Sequence, residues 1–182
     1  TAGGIPAGGH PMPSDLPLEK SFDLLTLESR DAALAASLAA LRPRETVQGL
    51  RQVAVEYHRL GVFDQADRYV SRALVLGPKD AASFETRARV RRDWGLPELA
   101  LPDAHRAVYF DPGSASAHNT LGTVLFALGQ PGEAARAFEA ALARDPDAAW
   151  AQNNLCYAWL TAGHEAEALS RCAAALALDP AL

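Results

Sequence analysis

The sequence predicts an all-α fold, an α-solenoid assembled from helical hairpins, and three regularities predict it. A proline recurs every 34 residues, at Pro78, Pro112, Pro146 and Pro180. A glycine keeps the same interval at Gly61, Gly95, Gly129 and Gly163. Two alanines do so as well, at Ala66, Ala100, Ala134 and Ala168 and at Ala73, Ala107, Ala141 and Ala175. A fixed period of this length means stacked units, none of which can bury its apolar face alone. Four contiguous blocks follow, 47–80, 81–114, 115–148 and 149–182.

Each block reads as two helices. The first runs through positions 2 to 14 and stops at the position-15 glycine, which can take the left-handed conformation that closes a helix. The second carries alanine at positions 20 and 27, where a larger side chain would hold the two helices apart. It ends ahead of the proline, whose ring disfavours helical geometry in the residue before it. In the second block Pro102 lies inside the nominal second helix, and a kink there, or a start delayed to Pro102, is expected. Upstream, residues 28–41 form a helix candidate with acidic residues in the first turn. Carrying the register back puts Ala32, Ala36 and Ala39 at small-residue positions, so 28–46 is expected to be a capping helix or degenerate half repeat. Residues 1–27 are too rich in Gly and Pro to form a core and read as an extended segment.

The bulk numbers limit function. With 49% apolar and 21% charged residues the chain of 182 has a globular composition. A formal charge of -5 removes the broad basic field that phosphate binding requires, so no nucleic-acid partner is expected. No run of apolar residues is long enough for a transmembrane segment. The chain starts at Thr1, which fits a mature protein or a fragment equally. Fifteen Arg against two Lys, with abundant Ala, reads as bacterial genomic bias, leaving cytoplasm or periplasm open.

Catalysis needs an acid, a base or a nucleophile in convergent geometry. None is legible, so an enzyme is not expected. The histidines 10, 58, 105, 118 and 164 lack metal-ligand spacing, and no Gly-rich loop opens a helix, so no metal and no cofactor are expected. Cys156 and Cys172 fall at positions 8 and 24, both facing the seam between the helices of the fourth block. They either fill a small apolar slot or form a disulfide, which would require an oxidising compartment.

The third block carries Leu121-Gly122, Ala134, Phe138, Ala141 and Pro146, and so resembles the tetratricopeptide repeat. The fourth keeps Leu155, Ala168, Ala175 and Pro180 but has Cys156 in place of the Gly and Cys172 in place of the Phe. The first has Ala54, Tyr57, Ala66 and Val70, whereas the second puts Arg87 and Arg91 where Leu and Tyr belong. The resemblance implies a right-handed superhelix whose first helices form a concave, peptide-binding groove at positions 2, 5, 6, 9, 12 and 13. Those positions supply Arg51, His58, Arg59, Arg89 and Arg92 from the first half, a basic wall on an acidic protein. The second half gives Asn119, Thr123, Trp150, Asn153, Asn154 and Tyr157, uncharged and partly aromatic; Trp150 has the alternative of burying itself against the third block. Asn can hold an extended backbone through donor and acceptor together, aromatics supply rigid area, and Arg forks onto carboxylates. The expected function is a non-catalytic scaffold for an extended peptide or partner subunit, with an acidic segment a fitting ligand. The alternative is a substrate-presenting region of a larger enzyme such as a glycosyltransferase.

The stretch from Cys172 to Leu178 has no charge on any face, unlike an amphipathic surface helix. The edge formed by Leu160, Leu169, Ala173 and Leu176 is therefore expected to be an interface, filled by another subunit, a second copy or further residues of a longer chain.

Overall fold

The computed structural model describes residues 26–42 and 44–179. The expectations for residues 1–25 and for Pro180 lie outside these. Among the described residues every regular element is helical: α1 (Ala32–Leu41), α2 (Val47–Arg59), α3 (Phe63–Leu76), α4 (Ala81–Asp93), α5 (Pro97–Phe110), α6 (Ala115–Ala127), α7 (Pro131–Leu142), α8 (Ala149–Thr161) and α9 (Glu165–Leu178). A helical turn at residues 26–30 precedes α1.

Local chemistry sets the hairpins. All four position-15 glycines have φ between 73° and 83°, the left-handed geometry that a Cβ would strain. All eight repeating alanines are buried to 2% exposure or less, so the paired helices approach over methyl groups. Thr46, Asp80 and Ser114, one period apart, cap α2, α4 and α6 through their side-chain oxygens. The fourth equivalent is Ala148, so α8 begins without a side-chain cap.

Each helix packs on its predecessor and successor. The first helices α2, α4, α6 and α8 also touch one another, while second helices make no comparable mutual contact. The first helices thus form the tight inner wall and the second helices the wider outer layer. The core is a row of clusters at these seams, from Leu50, Val53 and Tyr57 at one end to Phe138, Leu142 and Leu155 near the other.

Positions 8 and 24 lie on the two helices of every hairpin and are buried residues in the first three. The pairs are Ala54 with Val70, Ala88 with Ala104, Gly122 with Phe138, and Cys156 with Cys172. The Gly–Phe version is tight: a Cβ on Gly122 would lie 2.5 Å from the buried Phe138 ring. Gly122→Ala is therefore expected to destabilise the protein by about 1–3 kcal/mol through overpacking. Adding Phe138→Val, which copies the first hairpin, should recover much of the loss, as a denaturant-melt cycle would read. In the last hairpin the contact is covalent, Cys156 and Cys172 forming a disulfide with Cα atoms 5.2 Å apart.

Three expectations are corrected. Residues 28–41 are not one helix: Asp31 interrupts, its carboxylate capping α1 at Leu34 N and pairing with Arg59 at 2.7 Å. The alanine register fails too, because Ala32, Ala36 and Ala39 are exposed while Leu34 and Leu41 are buried on α2. Leucine removes more area from water than alanine, so the leucine face decides how α1 sits. Finally, α5 starts at Pro97 and runs on through Pro102. Pro97 occupies the favoured first position, and the helical hydrogen bond that Pro102 cannot donate would have gone to Glu98, an exposed residue.

In the second block the departures from the repeat pattern are compensated internally. Arg87 forks onto Asp103 at 2.7 and 2.8 Å, and Arg91 reaches Asp103 at 2.8 Å and Asp67 at 2.7 Å. Asp103 is only 1% exposed, so an ionic core replaces the apolar and aromatic residues of the other hairpins at these positions, Val53 with Tyr57, Leu121 with Leu125 and Leu155 with Trp159.

His118 is buried in α6, with Nε2 3.2 Å from the Pro112 carbonyl. Burial, reinforced by the charge of Arg144, holds its imidazole below the usual histidine range against the pull of that carbonyl. The unfolded chain then binds the proton at a higher pH than the folded one, so stability falls as pH drops through about 6.5. His118→Gln should flatten that slope in melts across the interval; an unchanged slope would place its origin elsewhere.

Candidate functional site

The inner wall is built from side chains one repeat apart, and most of them first satisfy one another. His58 Nε2 lies 2.8 Å from Asp93 Oδ2, linking α2 to α4. Between α4 and α6, Arg92 donates to Thr123 Oγ1 at 2.5 Å, and Ser116 donates to Glu85 Oε1 at 2.5 Å. Between α6 and α8, Asn154 donates to Asn119 Oδ1 at 2.8 Å. These rungs fix the spacing of the wall and orient what remains.

The arginines divide accordingly. Arg51 pairs with Asp80 at 2.6 Å, and Asp80 also caps α4. Arg59 is held by Asp31 and Glu56 at 2.7 and 2.9 Å. Arg92 shares Asp93 with His58. Burial alone would raise the Asp93 carboxyl, but hydrogen bonds from His58 and Arg92 outweigh it and keep the group well below the usual carboxylate range. The basic half of the groove is thus neutralised by Asp93 at a groove position and by three acids outside those positions: Asp31 from the preceding turn, Glu56 on a neighbouring face and Asp80 at a helix cap. Arg89 differs. It is exposed, and no described residue pairs with it.

Two adjoining hollows open where α4, α6 and α8 meet. One, of about 380 Å³, lies among Arg89, Ser116, Asn119 and Trp150 and is lined mainly by polar surface. The other, of about 300 Å³, lies among Phe126, Phe138 and Tyr157 and is mainly apolar. Arg92, Thr123 and Asn154 line both. Trp150 is 39% exposed and Tyr157 57%, so Trp150 stands in the groove rather than burying itself against the third block. The structure therefore brings Arg89, Arg92, Asn119, Thr123, Trp150, Asn154 and Tyr157 together. Asn153 is half-buried on the same helix outside both hollows, and Arg51, His58 and Arg59 lie on α2, away from them. Phe126, at position 12 of the third block, contributes an apolar wall that charge and amide patterns do not flag.

At the C-terminal edge Leu160, Leu169 and Leu176 are exposed to 53%, 71% and 51%, and Ala173 is exposed beside them. Among the described residues no cluster of His, Cys, Asp or Glu could hold a metal ion, and no helix is long and apolar enough to cross a membrane.

The fold and wall define a helical-repeat solenoid with an amide-lined and aromatic-lined groove. Residues 115–148 match the tetratricopeptide repeat family model, and the chain has the fold of a tetratricopeptide repeat solenoid. Among solved structures it is similar to MamA, at 20% identity and a TM-score of 0.70 over 91% of this chain and 96% of that one. It is also similar to TTC0263, a thermophilic TPR protein in Thermus thermophilus, at 25% identity and a TM-score of 0.74 over 90% of both chains. A third is YrrB, a TPR protein with an unusual peptide-binding site, at 23% identity and a TM-score of 0.65 over 90% of this chain and 84% of that one. No curated protein sequence matches.

Proposed function

We propose that the protein is a non-catalytic scaffold that holds an extended peptide, or an extended segment of a partner subunit, across α4, α6 and α8. One observation carries this reading: a polar hollow with an unpaired arginine adjoins an apolar aromatic hollow, and the two share Arg92, Thr123 and Asn154. A peptide carboxylate fits Arg89, its backbone amides fit Asn119 and Asn154, and an apolar side chain fits beside Phe126 and Tyr157. The peptide-binding description attached to the similar fold of YrrB is consistent with this use of the groove.

The test is isothermal titration with a panel of extended peptides that pair an acidic residue with an aromatic one. Arg89→Ala is expected to weaken binding by about 1–3 kcal/mol, the range for charge-assisted hydrogen bonds, and to flatten its salt dependence. Arg51→Ala should leave affinity unchanged, because its charge is already spent on Asp80. Equal affinity of Arg89→Ala and the parent would remove the acidic segment from the proposal.

A further inference from the structure

The two ends of the array are surfaces of opposite character. In every earlier hairpin positions 21 and 28 meet the hairpin that follows. Asp67 bonds Arg91, Leu74 clusters with Phe84, and Ala135 and Leu142 are buried against Ala151 and Leu155 of α8. The same positions in the last hairpin are Leu169 and Leu176, exposed to 71% and 51%. Around them the acidic residues Glu165, Glu167 and Asp179 are exposed at the two ends of α9. At the other end α1 has no charged residue, and its Ala32, Ala33, Ala36, Ala39 and Ala40 are exposed. Exposed Arg30, Arg42 and Arg44 flank it.

We propose that α9 of one copy docks on α1 of the next, so that copies of this chain join head to tail. Leucine knobs meet a flat alanine face, and the acidic residues flanking α9 meet Arg30, Arg42 and Arg44, since the acids beside those arginines, Glu28, Asp31 and Glu45, are engaged with Tyr57, Arg59 and Arg72. A twofold arrangement is disfavoured by the same charges: α9 on α9 sets Glu165 and Glu167 against acids, and α1 on α1 sets arginine against arginine. The contact is therefore heterologous and continues from copy to copy unless its rotation closes a ring.

Sedimentation velocity of three forms tests this, with circular dichroism to confirm equal helix content. The parent should grow in mass with concentration. A tail-blocked form, Leu169→Glu with Leu176→Glu, and a head-blocked form, Ala36→Glu with Ala40→Glu, should each stay monomeric. Mixed together they should give a one-to-one dimer, since each keeps the face the other lacks. Glu165→Lys with Glu167→Lys should weaken assembly, and Arg42→Glu with Arg44→Glu in the mixing partner should restore it. A monomeric parent, a blocked form that assembles like the parent, or a mixture that stays monomeric would each overturn the proposal. The groove lies elsewhere, so peptide binding by the monomeric forms is expected to be unchanged.

Discussion

Asp103→Ala should destabilise the protein by about 3–5 kcal/mol, the cost of leaving a buried ion network without its central charge. Asp103 accepts from Arg87 twice and from Arg91 once, and it is 1% exposed. Removing it leaves two guanidiniums, 16% and 21% exposed, facing each other across a space too enclosed to hydrate them fully. Arg91 keeps Asp67, which places the loss toward the lower part of the range. Chemical denaturation should show the loss, and hydrogen exchange should concentrate it in residues 81–110. Substituting the whole set, with Arg87→Leu, Arg91→Tyr and Asp103→Ala, replaces the network by residues that other repeats carry at these positions, as at Leu121, Tyr57 and Ala137. It should recover to within about 1–2 kcal/mol of the parent, since replacing an entire buried network by packed apolar groups is often neutral. If Asp103→Ala alone proves neutral, the network does not hold the second hairpin.

Opening the Cys156–Cys172 bond is the second change with a large expected effect. The bond joins residues 16 apart, and a loop of that size corresponds to about 3 kcal/mol of unfolded-state constraint. Helix α9 has little else: Ala168 and Ala175 are its buried residues, whereas α7 buries six, including Phe138 and Leu142. Reduction, or Cys156→Ala with Cys172→Ala, should therefore raise exchange across residues 149–179 while the first three hairpins hold. Cys156→Gly with Cys172→Phe rebuilds the packed pair of the third hairpin and should restore part of the protection without a covalent bond. Equal protection of α9 in oxidised and reduced protein would show that its alanine seam suffices.

Much of this fold was legible because the period repeats the same physical demand four times. A glycine must be left-handed at each hairpin turn and a methyl must sit at each close approach, so the register of α2 to α9 followed directly. The failures came where the repeat gives no information. In α1 no charged residue marks a solvent face, and a run of alanines suits several orientations; Leu34 and Leu41 decided. In the groove the partners of Arg51 and Arg59, which are Asp80, Asp31 and Glu56, lie at positions outside the groove set, while Arg92 is held by Asp93 and Thr123 within it. Reading each block alone hides contacts made between blocks, such as His58 with Asp93. Asp103 was hidden for a related reason: the two arginines stood out as departures, while the aspartate that compensates them sits on the other helix of the same hairpin.

The groove reading is tested most directly by nuclear magnetic resonance of the side chains that line it. An extended peptide carrying an acidic and an aromatic residue would be titrated into the protein. The Trp150 indole N–H and the side-chain amides of Asn119 and Asn154 would be followed, with Trp94 and Trp159 as internal controls. Saturable shifts of Trp150, Asn119 and Asn154 are expected, weakening with added salt and with Arg89→Ala, while the two control indoles hold still. Saturable shifts confined to the outer helices α3, α5 and α7, with Trp150 and the two asparagines unmoved, would contradict it.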